Sequence, residues 1–120
     1  MEWNVLDPRC PTRALLNRIG DKWTVLVVTV LRDGPLRFGE LKRALGGPAA
    51  KVLSASLRSL EQDGILTRTV FTGSPLRVEY ELTPLGHSLL SVLGQIKAWA
   101  EDNMDLVMVA RARQVPPGSN

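Results

Sequence analysis

The spacing of apolar residues changes once along this chain, at Gly64, and that change limits the available folds more than any other feature. Before Gly64 the apolar side chains recur at helical intervals: Trp23, Leu26, Val27, Val30 and Leu31, then Phe38, Leu41 and Leu45, then Leu53, Leu57 and Leu60. After it the interval falls to two. Ile65–Thr72 is rich in Thr, Val, Ile and Phe, and Val78, Tyr80 and Leu82 alternate with Glu79, Glu81 and Thr83. Gly73-Ser74-Pro75 between these runs supplies turn residues, so the pair reads as a hairpin. From Pro84 the helical interval returns, with Leu85, Leu89, Val92, Leu93, Ile96 and Trp99 on one side.

Local signals set the boundaries. Cys10-Pro11 starts a first helix with Pro at its first position, Leu15, Leu16 and Ile19 give its stripe, and Gly20 ends it. Asp21 can cap a second helix that is apolar nearly all round. Its valines also suit a strand, but the cap, the length and the Asp33-Gly34-Pro35 stop favour helix. Leu36-Arg37 reads as a short extended link, and Gly46-Gly47 closes a brief third helix. Pro48 restarts the chain as a fourth helix running to Gly64, and Thr83-Pro84 caps and opens the last. The order is four helices, a hairpin and a long helix: mainly α with a small β wing, the winged helix-turn-helix pattern with an added helix at each end.

A chain of 120 residues suits one domain, read as an N-terminal arm (1–9), the winged domain with its terminal helices (10–105) and a C-terminal extension (106–120) frayed at its end. Hydrophobic residues at 44% and charged residues at 22% place it among globular proteins and not disordered ones. The net charge of +3 argues little alone, but its distribution is uneven. Residues 32–60 hold six Lys and Arg against two acids, whereas residues 79–105 hold one Lys against five acids. One face is built for a polyanion and another turned from it. The single cysteine, Cys10, excludes an internal disulfide framework. The N-terminal Met1–Arg9 has no apolar core of signal-peptide length, and the most apolar stretch, Trp23–Leu31, is about half as long as a bilayer span needs, so the expected location is the cytoplasm, with no membrane partner.

The fourth helix is the candidate DNA reader. With Leu53, Leu57 and Leu60 turned inward, Lys51, Ala55 and Arg58 fall on the opposite side, flanked by Ser54. Small residues and two cations can enter a major groove, and no carboxylate appears there before Glu61. Any amphipathic surface helix can carry Lys, Ser and Arg outward, so the hairpin matters to this reading. Arg77 ends its loop, within reach of a neighbouring phosphate or groove, and Arg37 and Lys42 flank the turn where backbone contacts are usual.

Several runs in order are similar to one family. Cys10-Pro11, Ile19-Gly20-Asp21-Lys22-Trp23, Leu36-Arg37-Phe38-Gly39-Glu40-Leu41, the stretch Leu57–Gly64 and the stretch Arg77–Gly86 closely resemble the HxlR-type regulators, relatives of the MarR group. The resemblance spans about residues 10–103. It implies a dimeric winged-helix transcription regulator on a pseudo-palindromic double-stranded DNA operator, read through helix 48–63 and wing 72–78. It also implies that the terminal helices, about 11–19 and 84–105, form the dimer interface. Gly47-Pro48-Ala49-Ala50 departs from the Ile-Ser that the family often shows, removing a cap and a phosphate donor. Ser74-Pro75-Leu76 replaces a frequent Pro-Pro pair.

The last helix argues for the homodimer independently. Leu89, Leu93, Ile96 and Trp99 give more apolar surface than a small winged domain covers, and Leu15 of the first helix joins them as a candidate contact. Packing of these residues within one chain is the alternative. Cys10 at a helix start, near Arg9 and Arg13, is a candidate redox or electrophile sensor, since in some HxlR-type members the matching Cys senses such species; an inert packed Cys is the other reading. A small-molecule or electrophile effector is open, with Trp23 and Trp99 as candidate pocket walls or simply core. His87 has no ligand partners at metal spacing, and no cofactor is expected. A Cys-dependent enzyme would need a base within reach, and the sequence supplies no such motif. A winged-helix protein–protein module would need an acidic or apolar outer face on the fourth helix, whereas this one is basic and small.

Overall fold

Asp21 shows how closely local chemistry sets the helix starts. In the computed structural model, which describes residues 2–114, its carboxylate oxygen Oδ1 accepts from the Trp23 amide at 2.8 Å. This caps α2 (Lys22–Val30), which follows α1 (Pro11–Ile19) across Gly20. Two residues of β1 (Leu36–Arg37) lead into α3 (Phe38–Ala44), whose Glu40 side chain accepts from the Arg37 amide at 2.8 Å. Then come α4 (Ala50–Gln62), β2 (Leu66–Phe71), β3 (Arg77–Leu82) and α5 (Pro84–Ala112). The architecture is mainly helical with one small antiparallel sheet, a winged helix-turn-helix.

The chain divides into two units. The first, Met1–Leu90, holds the winged domain. Of the apolar positions expected from spacing, Val27, Leu31, Leu41, Leu53, Leu57, Leu60 and Leu82 are at most 5% exposed, and Val28 and Leu66 join them in the core, whereas Trp23, Leu26, Val30, Phe38 and Leu45 are only half-buried. Full burial of each such side chain contributes about 1.5–3 kcal/mol, so three leucines on one stripe hold α4 firmly. The other unit, Ser91–Asn120, carries the remainder of α5. Lys97 and Glu101 pair across one helical turn there at 3.1 Å. Val92, Ile96, Trp99, Met104, Leu106, Met108 and Val109 are all exposed, at 38% or more.

Three boundaries differ from expectation. Leu36-Arg37 is a strand of the sheet and not a link: it pairs antiparallel with β3, giving the order β1-β3-β2. Two residues are too few for an alternation to register. The fourth helix begins at Ala50 and not Pro48, because Gly47 has φ +76° and Ala49, still extended, is the N-cap with no side-chain bond. Helix α5 runs past residue 105 to Ala112. The frayed end expected of the C-terminal extension falls largely on residues 115–120, outside the described ones.

The junction of sheet and last helix turns on Thr83. Its hydroxyl donates to a backbone carbonyl of the β2 approach, with Gly64 O at 2.6 Å and Ile65 O at 3.1 Å, and accepts from the Gly86 amide at 3.1 Å. A side chain at Gly86 would run into the Ile65 carbonyl, so the backbone approach there requires glycine.

Candidate nucleic-acid interface

Helix α4 buries one stripe and exposes the other. Leu53, Leu57 and Leu60 are buried, while Lys51, Ser54, Ala55 and Arg58 are exposed. Lys51 stands in the first turn, where its charge opposes the helix dipole, and among the described residues it forms no ion pair. On the flank toward the sheet, Ser54, Leu57, Arg58 and Glu61 share a cleft of about 240 Å³ with Arg68 of β2 and Tyr80 of β3.

The register explains which cations share a face. Leu66 pairs with Leu82, Arg68 with Tyr80 and Val70 with Val78, so these six point to the side that packs on the helices. Arg37, Glu79, Arg77 and Phe71 lie on the other side, because Arg37 pairs with Glu79 and Phe71 with Arg77. There Arg37 lines one cleft of about 470 Å³ with Gly39, Glu40, Arg43 and Glu79. It also lines a second, about 320 Å³, with the hairpin tip and Arg77.

Arg77 is less free than its loop position suggests. Its guanidinium carbon lies 4.4 Å from the Phe71 ring centroid, and Nε is 3.1 Å from Glu79 Oε2. That distance lacks good hydrogen-bond alignment, leaving Nε without a bonded partner. Across-strand Phe71 and same-face Glu79 thus draw the side chain onto the hairpin. Lys42 is half-buried on α3, and neither it nor Lys51 lines the clefts described. Arg43 and Arg68 do, and spacing alone does not single them out. The signal for Arg68 is the hairpin register, which sets it opposite Tyr80.

Cys10 lies at the N-cap of α1, half-buried. The Asn4 amide donates to its Sγ at 3.3 Å, and the Thr12 hydroxyl is 3.0 Å away. Bonding from Thr12 is the main cause that lowers the thiol's pKa below its ordinary value, helped by the Asn4 amide, against partial desolvation and nearby Asp7. A cleft of about 520 Å³ at α1 is lined by Trp3, Pro11, Thr12, Ala14, Leu15, Arg18 and Asp63, and Cys10 is not among its lining residues. Trp23 and Trp99, read as candidate pocket walls, line none of these clefts.

Of the residues expected at a dimer contact, Leu15, Ile96 and Trp99 are exposed at 40%, 54% and 64%, and Leu89 is half-buried. Leu93 is different. It is 2% exposed.

A helix-turn-helix with a hairpin wing and a basic, small-residue outer face on the second helix of the turn defines a class of transcription regulators. Residues 18–108 match the HxlR-like helix-turn-helix family, and the chain belongs to it. It is 39% identical over 110 residues to the uncharacterized HTH-type transcriptional regulator YtfH of Escherichia coli, covering 92% of this chain and 87% of that one. A solved structure of the Salmonella typhimurium protein ytfH, classed as a putative transcriptional regulator, superposes with a TM-score of 0.84 at 40% identity, covering 93% of this chain and all of that one. The redox regulator HypR in its reduced form superposes at 0.75 with 36% identity, over 82% of this chain and 98% of that one. The protein is a transcriptional regulator of the helix-turn-helix type.

Proposed function

We propose that this regulator binds a pseudo-palindromic DNA operator as a homodimer, placing α4 in the major groove and the hairpin against the flanking backbone. The observation that carries the reading is the outer face of α4, where Lys51, Ser54, Ala55 and Arg58 are exposed opposite three buried leucines. Arg37, Lys42 and Arg77 serve as backbone contacts around it. The exposed apolar residues of α5, with Leu15 of α1, form the subunit contact. Two copies related by a twofold axis then present their recognition helices about 34 Å apart, one turn of DNA. Selection of bound duplexes from a random pool tests this directly. A pseudo-palindrome with half-sites one turn apart is the expected product; no enrichment above input would overturn it.

A second reading concerns regulation. The structural relative HypR is a redox regulator, and Cys10 here is a half-buried thiol whose hydrogen bonds favour thiolate. In this reading an oxidant or electrophile modifies Cys10 and releases the operator, with the apolar cleft beside α1 receiving the incoming group. One Cys per chain means that a disulfide would need the partner's Cys10 or a small thiol. Equal release from wild type and Cys10→Ser by oxidant would remove the thiol from the mechanism.

A further inference from the structure

The cleft between α4 and the sheet holds two arginines with no acidic partner. Among the described residues Arg9, Arg18, Arg32 and Arg77 each form an ion pair with an aspartate or glutamate, whereas Arg58 and Arg68 form none. Both are exposed, and both line the same cleft of about 240 Å³ with the Ser54 and Tyr80 side chains. Two arginines, a serine and a tyrosine lining one small polar cleft supply side chains able to donate to the oxygens of a phosphate. One carboxylate, Glu61, shares the cleft and leaves it a net positive charge.

The position decides which phosphate. Ser54, Arg58 and Glu61 recur at i, i+4 and i+7, along the edge of α4 nearest the sheet, beside the outer face that carries Lys51. A helix lying in a major groove has its flanks against the two sugar–phosphate walls, so a donor cleft on the flank meets backbone before it meets a base edge. The cross-strand pairing of Arg68 with Tyr80 fixes the far side of the cleft from the wing.

We infer that Arg58 and Arg68, with the Ser54 and Tyr80 hydroxyls, form a clamp for one backbone phosphate of duplex DNA, bridging the recognition helix and the wing. This rests on the DNA-binding reading above, and it assigns Arg58 to position the helix in place of reading a base. Arg68 acts with it. The helix and the hairpin are thereby registered on the same strand of the duplex.

The test is titration of a fluorescent random-sequence duplex across a range of potassium chloride, because a phosphate contact is independent of sequence. Arg68→Ala is expected to weaken binding roughly tenfold and to flatten the plot of log affinity against log salt by about 0.9. Arg58→Ala should do the same, and the double variant should lose less than the two losses combined, because both hold one phosphate. Arg68→Lys should keep most of the salt slope, and Glu61→Gln should tighten binding by about twofold to fivefold as the opposing charge leaves. Arg68→Gln preserves chain length and takes the place of the alanine variant if thermal melting shows the latter unfolded. Wild-type slope and affinity in the Arg68→Ala and Arg68→Gln variants would overturn the clamp while leaving DNA binding intact. So would an Arg58→Ala variant that keeps its salt slope but changes the selected base at one position. A wild-type protein that leaves the duplex unbound at every salt concentration would overturn the underlying reading, and the clamp with it.

Discussion

The Arg18 guanidinium reaches from α1 to the Asp63 carboxylate at the C-cap of α4, with Nη1 and Oδ2 2.6 Å apart. A carboxylate at that end of a helix faces the negative pole of the dipole, so the arginine offsets an unfavourable placement as well as pairing with it. It also ties α1 to the end of α4, across a separation of 45 residues.

The two partners should therefore respond unequally to truncation. Arg18→Ala is expected to cost about 1 kcal/mol, since it leaves the carboxylate alone at the helix end, whereas Asp63→Ala should cost less than half of that. Both side chains are partly exposed, which keeps the magnitudes small. Urea denaturation of the two single variants decides it, and equal losses would remove the dipole from the account.

Thr83 is a stronger joint. Thr83→Ala loses the hydroxyl that serves both the α5 cap and the carbonyls near Gly64, and should destabilise by about 1–2 kcal/mol, while Thr83→Ser should recover most of it. Gly86→Ala should cost about 3 kcal/mol or more, because the backbone carbonyl it meets cannot swing away as a side chain would. Thermal melts rank the three. Thr83→Ser performing no better than Thr83→Ala would show that the methyl packing mattered and the hydroxyl did not.

The Cys10 thiol should alkylate at lower pH than an unperturbed thiol. Its pKa is lowered in the folded chain, so the thiolate fraction at a given pH near neutrality is larger and the rate–pH profile is displaced downward. Thr12→Val removes the principal hydrogen bond and should move the profile up again. Iodoacetamide kinetics in native protein, against a small-thiol control, measure both shifts. Coincident profiles for wild type and variant would exclude Thr12 as the cause.

The proposed subunit contact makes its own demand. Trp99→Glu, at a site 64% exposed, should leave the fold of the chain intact and convert a dimer to a monomer in sedimentation. Operator affinity should fall with it, since each half-site would then be bound alone. A Trp99→Glu protein that still sediments as a dimer would place the contact elsewhere.

Most of the fold was legible because its core rests on leucine and valine spacing. Leu53, Leu57 and Leu60 announce both the α4 helix and the face it hides, and what remains on the outside follows by subtraction. Caps were equally readable at Asp21 and Thr83, where a short polar side chain precedes a helix start. Pairing was not. The strand at Leu36-Arg37 exists only because β3 has a free edge to offer it, and two residues carry no period of their own. The same gap hid Arg68, whose place opposite Tyr80 depends on register, and it left Arg77 reading as a free charge when Phe71 and Glu79 hold it.

The short strand β1 has a mechanical consequence. Leu36 and Arg37 are fastened on one side to β3 and, through the Glu40 carboxylate on the Arg37 amide, on the other to the opening turn of α3. The hairpin therefore has no hinge of its own against the helical turn: tilting it drags the start of α3 along, like an oar fixed in its rowlock. A duplex pressing on the wing would act through that fixture on the helices that hold α4.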